Sequence, residues 1–370
     1  MSDYQPLPDN PPTSISDPDY YAHRKIMYSA LSTHLVVPKP TGVAAQDTQA
    51  LQSTLDAAVA TGKGKQIVLY PGTYVVNATL TIRGVAGLRI IGNGSTIIQS
   101  SASPVIKMAH CRECVLDGFT LSVAAGNTGI QCLRDNNPAG LSPTQNTFRN
   151  LLIENGAIGI VLGGTGMVDA NNDFNLFENV RCNNYTDTGF LLQGSQSYAN
   201  VFRNCFAFGA VNANYGVNTG AVGGQFQWYS GGMNRNIVDF RIGRHYQPYL
   251  IEGVVSENSD RFIERVNEAY GQLIVRGCRW AGNSIHADNR AIVTAGLIQI
   301  QLLYNSISDG GVDTATLLDF GTNALNHIEM IGNRVFSTAA DVFPGDAPDI
   351  LEGNIKITNE TNNTIGALTG

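Results

Sequence analysis

The chain has 370 residues, of which only 14% are charged and 40 are glycine, and its formal net charge is −7. An acidic balance gives no basic surface for a phosphate backbone, which excludes nucleic acid as the expected partner, and no apolar run approaches the roughly 20 residues of a membrane span. Low charge with abundant Gly and frequent Asn favours strands and tight turns, because both residues weaken helices and supply left-handed backbone angles.

The opening "MSDYQPLPDN" is acidic and polar where a secretory signal is basic and then apolar, so no export signal is expected. Residues 1–42 read as a Pro-, Asp- and Ser-rich arm. It holds one short helical candidate, "DPDYYAHRKIMYSALST", with Ile26, Met27, Ala30 and Leu31 on one face. The arm is too short for its own core and is expected to serve attachment or oligomerisation. Next, "DTQALQSTLDAAVATGKG" predicts an amphipathic helix: Asp47 caps it, Leu51, Leu55, Ala58 and Val59 form the apolar stripe, and Gly62 ends it. "QIVLYPGTYVVNATLTI" then alternates as strands do around a Pro-Gly turn.

The six cysteines, at 111, 114, 132, 182, 205 and 278, follow no disulfide-framework spacing, so buried thiols are the expectation. "HCREC" (His110 to Cys114) offers three ligands where a structural zinc takes four, and no second such pair follows. No metal and no cofactor are expected.

From residue 90 onward an apolar residue, a spacer and an Asn or Gly recur: Ile90/Gly92, Leu116/Gly118, Phe148/Asn150, Phe177/Asn179, Phe202/Asn204, Ile251/Gly253, Val275/Gly277, Leu303/Asn305, Ile331/Asn333 and Leu351/Gly353. Successive members lie 20 to 32 residues apart except for one step of 49, which a degenerate coil near "QWYSGG" fills. Further short strands follow each signature, such as "GIVLGG" and "GFLLQG", with no helix between. Each repeat is therefore one coil of a single-stranded parallel β-helix, about ten to eleven coils in an all-β domain spanning residues 43–360, with residues 361–370 as a tail. Coils stack at about 4.8 Å. Phe148, Phe177 and Phe202 then form an interior stack, Asn150, Asn179 and Asn204 a corner ladder, and the spacers Asp117, Arg149, Glu178 and Arg203 an outward stripe of alternating charge, as do Glu252 and Arg276.

These residues resemble the pectin-lyase-like superfamily of right-handed parallel β-helices, in particular its branch opening with an Asp-x-x-Ala-Leu-Gln helix and a Pro-Gly-Thr-Tyr strand, here Asp47 to Gln52 and Pro71 to Tyr74. "DPDYYAHRKIMYSAL" is similar to the segment that precedes β-helical domains in minor tail proteins of phages infecting actinobacteria. The resemblance implies a phage tail spike or fibre, located on the virion, binding host cell-surface polysaccharide with or without depolymerising it. It implies a homotrimer too, with residues 1–42 meeting other tail proteins. Two alternatives stay open: a free, extracellular carbohydrate-active enzyme (hydrolase or lyase), and a non-catalytic structural component.

The family's known catalytic marks are missing. There is no polygalacturonase-like Asn-Thr-Asp, Asp-Asp, Gly-His-Gly and Arg-Ile-Lys set, no epimerase-like Asp-Pro-His and no pectate-lyase-like Trp-x-Asp-His. The resemblance puts the ligand groove on "GIQCL", "GIVLGG" and "GFLLQG", with Gln131, Leu133, Val161, Leu191 and Gln193 outward and almost no charge. Carboxylates follow further on, at Asp260 and Glu264 in "SDRFIERV" and Asp319 in "TLLDFG", two coils apart. A second candidate set is Asp169 and Asp173 with Asp187. For all of these, turn capping is the competing role. Glu264, Asp319, Asp169 and Asp187 are thus the catalytic candidates. Tyr185, Tyr198, Tyr215, Trp228, Tyr229, Tyr246 and Tyr249 crowd the middle coils, and flat rings with a polar edge suit sugar faces; interior stacking or a subunit interface would use the same residues.

Overall fold

A computed structural model describes residues 34–60, 65–99, 103–134, 141–163, 171–194, 197–220, 223–243, 247–266, 272–282, 290–294, 299–308, 318–319, 327–336, 351–352, 355–358 and 364–368. The helical candidate of the N-terminal arm lies outside them. The predicted capping helix is Ala44–Ala60, starting three residues before Asp47. Asp47 works from inside the first turn: its carboxylate accepts from Thr41 N (2.7 Å), Thr41 Oγ1 (2.8 Å), Gly42 N (3.1 Å) and Val75 N (3.0 Å), tying the helix start to the first coil. Leu51, Leu55 and Ala58 face the core as the periodicity requires.

The rest is a right-handed parallel β-solenoid of about eight turns, a little fewer than the repeat count suggests. The signatures near Ile331 and Leu351 contribute strands, but no third face follows them among the described residues. Each turn has three strands. In one turn these are Thr147–Arg149 on the first face, Leu152–Glu154 on the second and Ile158–Leu162 on the third. Each pairs in parallel with its counterpart above and below. In the middle of the solenoid the corners tighten until whole turns read as continuous strands, Asn200–Asn218 and Phe226–Ile242. At the far end Thr364–Leu368 reverses direction and pairs antiparallel with Ile355–Thr358.

Register is set by the core. On the first face Leu116, Phe148, Phe177, Phe202, Trp228, Ile251 and Val275 lie one above another. Their rings stack with centroids 4.8 Å apart for Phe148–Phe177, 4.4 Å for Phe177–Phe202 and 4.7 Å for Phe202–Trp228. Such pairs are worth about 0.5–1.5 kcal/mol each beyond the area they bury. Trp228 thus fills the step of 49 residues with the coil expected there.

The corner ladder also forms. Asn150, Asn179 and Asn204 sit at φ 52°, 52° and 50°. Asn204 Nδ2 donates to Asn179 Oδ1 (2.7 Å), Asn179 Nδ2 to Asn150 Oδ1 (3.2 Å) and Asn150 Nδ2 to Asp117 Oδ1 (2.8 Å). The stripe of spacers lies in register, with Arg149 pairing Asp117 at 2.9 Å and Arg276 pairing Glu252 at 2.7 Å. Two signatures slip by one residue. Leu302 and Met330, not Leu303 and Ile331, continue the core column, and Tyr304 (φ 57°) and Gly332 (φ 63°) turn the corner. Asn305 and Asn333 therefore fall inside, where Asn333 Oδ1 accepts from Asn305 N and Nδ2, both at 2.9 Å.

A second, buried ladder was not foreseen. Asn146, Asn175 and Asn200 open the three fragments "NTFRN", "NLFEN" and "NVFRN", and each side-chain oxygen accepts the backbone N–H one coil below. The period-2 pattern marks these positions only as strand edges. Their signal was the repetition of Asn itself at the head of each fragment.

The third face has its own constraint. A Cβ on Gly159 would come 2.4 Å from Cys182 Sγ and 2.5 Å from Gly189 O, and Gly129, Gly189 and Gly216 stand in the same column. Asp239 takes the next place in it, between the registered pairs Tyr215/Val238 and Val217/Phe240.

Candidate functional site

The third face brings one charged group of side chains together. One column of positions on it runs Thr81, Lys107, Gln131, Val161, Leu191, Asn218, Arg241, Glu264, Val293, Asp319. Between Lys107 and Arg241 it is uncharged, as expected, although Val161 and Leu133 are both buried. The change comes at Arg241. Its guanidinium lies over the Tyr215 ring, 5.0 Å from the centroid, and its Nε is 3.8 Å from Glu264 Oε2. Arg261 Nη1 donates to Glu264 Oε1 at 3.1 Å. Tyr215, Arg241, Arg261 and Glu264 are all half-buried, so an aromatic face, two cations and a carboxylate open on one patch of strand surface.

Each candidate from the sequence has a definite place. Glu264 and Asp319 do share a column, but Val293 stands between them and their positions are two rungs apart, about 10 Å. That exceeds the spacing of a retaining carboxyl pair and slightly that of an inverting one. Asp187 is a turn residue: it accepts from Asn214 Nδ2 at 2.7 Å, and its carbonyl accepts Tyr215 N at 2.8 Å. Asp173 accepts Tyr198 N at 3.1 Å, which caps a turn, while burial pushes its carboxyl up to about 6. Asp260 is buried and its N–H bonds to Asn236 O, so it belongs to the turn before the third face. Asp169 and Tyr246 lie outside the described residues.

The aromatic cluster separates. Trp228 and Tyr185 are 0% and 1% exposed and belong to the core, where Trp228 stacks on Phe202 and the Tyr185 hydroxyl donates to Asn236 Oδ1. Tyr249 is buried too, so none of these three can face a sugar. Their positions in the rung point inward, and ring chemistry carries no information about that. Tyr229 stands on the first face in the column of spacers, between Arg203 and Glu252. Tyr198 meets Phe174 edge-on at a turn, centroids 5.7 Å apart. Among the described candidates only Tyr215 joins the third-face patch.

Sequence reasoning missed Arg241 and Arg261. The signal for Arg241 is its register with Glu264, and "VDFRIG" against "RFIERV" shows it once the coils are aligned. The cysteines are all buried thiols, and no cluster of three or more potential metal ligands occurs among the described residues.

No protein-family model matches the chain, and no curated protein matches it in sequence. Solved structures match its shape. The A-module of Azotobacter vinelandii mannuronan C-5 epimerase AlgE4 is 14% identical over 87% of this chain and 92% of that one, with a TM-score of 0.55. The fold is that of the pectin-lyase-like parallel β-helices. The A-module of AlgE6 from the same organism gives 17% identity, 84% and 89% coverage and 0.54. The endo-xylogalacturonan hydrolase of Aspergillus tubingensis gives 12% identity, 86% and 99% coverage and 0.51. The names of these three proteins are those of enzymes acting on polysaccharides, whereas the likeness itself is one of fold.

Proposed function

We propose that this β-helix binds a polysaccharide along its third face, and that it does so as a spike or fibre component of a phage tail. The observation that carries the binding role is the patch of Tyr215, Arg241, Arg261 and Glu264. A ring face, fixed guanidinium donors and a carboxylate acceptor are the groups that meet sugar rings, hydroxyls and acidic substituents. Recognition is favoured over hydrolysis because the positions of Glu264 and Asp319 are two rungs apart and Glu264 already has both oxygens directed at arginines. The tail role is supported by the likeness of residues 17–31 to segments ahead of β-helical domains in minor tail proteins. A homotrimer on the virion is part of the same reading.

Binding is tested on a panel of immobilised bacterial surface polysaccharides. Wild-type protein is expected to retain at least one of them, and Arg241→Ala and Tyr215→Ala to lose it while keeping the wild-type melting temperature to within a few degrees. Equal retention by all three proteins would remove the third face from the reading. Release of reducing ends or of unsaturated uronate absorbance would overturn recognition without catalysis. Light scattering tests the assembly: a monomer at micromolar concentration contradicts the spike.

A further inference from the structure

A second concave surface lies on a different corner of the solenoid, away from the third-face patch. It is a shallow, open groove of about 600 Å³ between the first and second faces, bordered by Gly94, Gly118, Asn150, Asn179 and Asn204 in successive coils. Buried Phe119 and Leu151 form its floor. One wall is the exposed amide ladder. The ladder residues are exposed, each Nδ2 gives one proton to the residue below and has a second to offer, and Asn150 and Asn179 each have a second lone pair on Oδ1.

The facing wall is Leu152, Arg181 and Phe206, in register on the second face. The Arg181 guanidinium sits 4.8 Å from the Phe206 centroid and 5.4 Å from that of Phe208. In the next coil the same column holds Gly232, where a Cβ would come 3.3 Å from Phe206 Cδ1 and 3.4 Å from Phe208 Cε1. The rings are thus half-buried, gripped by a cation on one side and by a backbone with no side chain on the other.

We propose that this groove is a second carbohydrate site, and that it takes an extended, uncharged glycan lying along the solenoid axis. Amide donors and acceptors recur once per rung, at about 4.8 Å, close to the advance of one sugar ring in an extended β-1,4-linked chain. The apolar floor and the Phe206 ring suit the flat faces of such rings. The charge of the lining selects a neutral chain, since Arg181 is its one ionisable side chain and is engaged over two rings. A uronate polymer would find no further cation along this wall.

Isothermal titration with cellohexaose tests the site on the intact chain. Wild-type protein is expected to bind it, Phe206→Ala to weaken binding at least tenfold, and Asn179→Gly to weaken it severalfold. Arg181→Gln is the milder companion, since Arg181 is exposed and the change leaves the rings in place; it is expected to weaken binding several-fold at an unchanged melting temperature. Arg241→Ala, on the third face, is expected to leave cellohexaose binding as it is. Absence of heat with wild type, or equal affinity in wild type, Phe206→Ala and Arg181→Gln, overturns the proposal. Loss of cellohexaose binding in Arg241→Ala alone would assign the sugar to the third face and overturn it too. Failure of Arg241→Ala on the polysaccharide panel bears on the third face and leaves this groove untouched.

Discussion

A buried and an exposed asparagine ladder run up this solenoid, and burial makes the first far more costly to break. In the buried ladder the Asn175 side chain accepts from Asn146 N (3.0 Å) and Asn146 Nδ2 (3.2 Å), and donates to Asn172 O (2.9 Å) and Asn200 Oδ1 (3.0 Å). Asn175→Ala leaves the Asn146 N–H and the Asn172 carbonyl without these partners in a dry interior. At about 1–3 kcal/mol for each orphaned group, the loss is about 4 kcal/mol. With an unfolding entropy of about 2.1 cal/mol/K per residue, a chain of this length changes stability by about 0.8 kcal/mol per degree near its midpoint, so the melting temperature falls about 5 °C. In the exposed ladder Asn179 is at φ 52° and its amide is open to water. Asn179→Gly keeps the left-handed corner and exchanges protein hydrogen bonds for water, so its expected shift is about 1 °C. Scanning calorimetry on both variants measures the difference. Equal shifts, or a larger one for Asn179→Gly, would refute the reasoning that burial decides the cost.

Further outcomes follow from the interior. Burial pushes the Asp239 carboxyl up to about 7 against the donors Ser256, Asn236 and Ser259, with the Asp260 charge adding to the rise. The folded state therefore holds a proton that the unfolded chain releases near pH 4, so this contribution is complete below pH 4 and is lost as pH rises to 7, by at most about 1.4 kcal/mol per unit. Asp173, raised to about 6, acts in the same direction. Asp47 opposes both but acts at more acidic pH: burial raises it, and the hydrogen bonds from Thr41, Val75 and Gly42 outweigh that and lower it. Melting temperatures of wild type and Asp239→Asn at pH 5 and pH 8 check this, with the drop expected to be smaller in the variant. Gly159→Ala is expected to cost about 3 kcal/mol, because the new methyl meets Cys182 Sγ and the Gly189 carbonyl; denaturant midpoints measure it, and a neutral result would mean that the coils can separate. Burial raises the thiols of Cys205 and Cys278 to about 12 and 11, and those of Cys132 and Cys182 further. Ellman's reagent is expected to label no cysteine in the native protein and all six after denaturation.

How much of this was legible in the chain depends on which property a residue shares with its neighbours in the stack. Phe148, Phe177 and Phe202 were readable because identical residues recur at nearly constant spacing, and stacking turns that recurrence into contact. Asn305 and Asn333 carry the same signature yet do not turn the corner: Leu302-Leu303 and Met330-Ile331 each offer two adjacent apolar residues, so a strand with period 2 fits the signature in either register. What chose between them was the buried N–H that Asn305 serves, a demand that appears only when the rungs are closed. Trp228 shows the same limit from the other side. Its ring suits a sugar or a core equally well, and its place above Phe202 decides. The third-face patch was the least legible part, since Tyr215, Arg241 and Glu264 are each 23 or more residues apart in the chain and share no residue type. A structural stack repeats one chemistry, so it leaves a periodic trace; a binding patch combines different chemistries on neighbouring rungs, and its trace exists only in the register. It follows that in a solenoid of this kind, functional residues are to be sought where a column stops repeating: at Arg241 after four uncharged positions, at Asp239 after four glycines, and at Gly232 beside two phenylalanines.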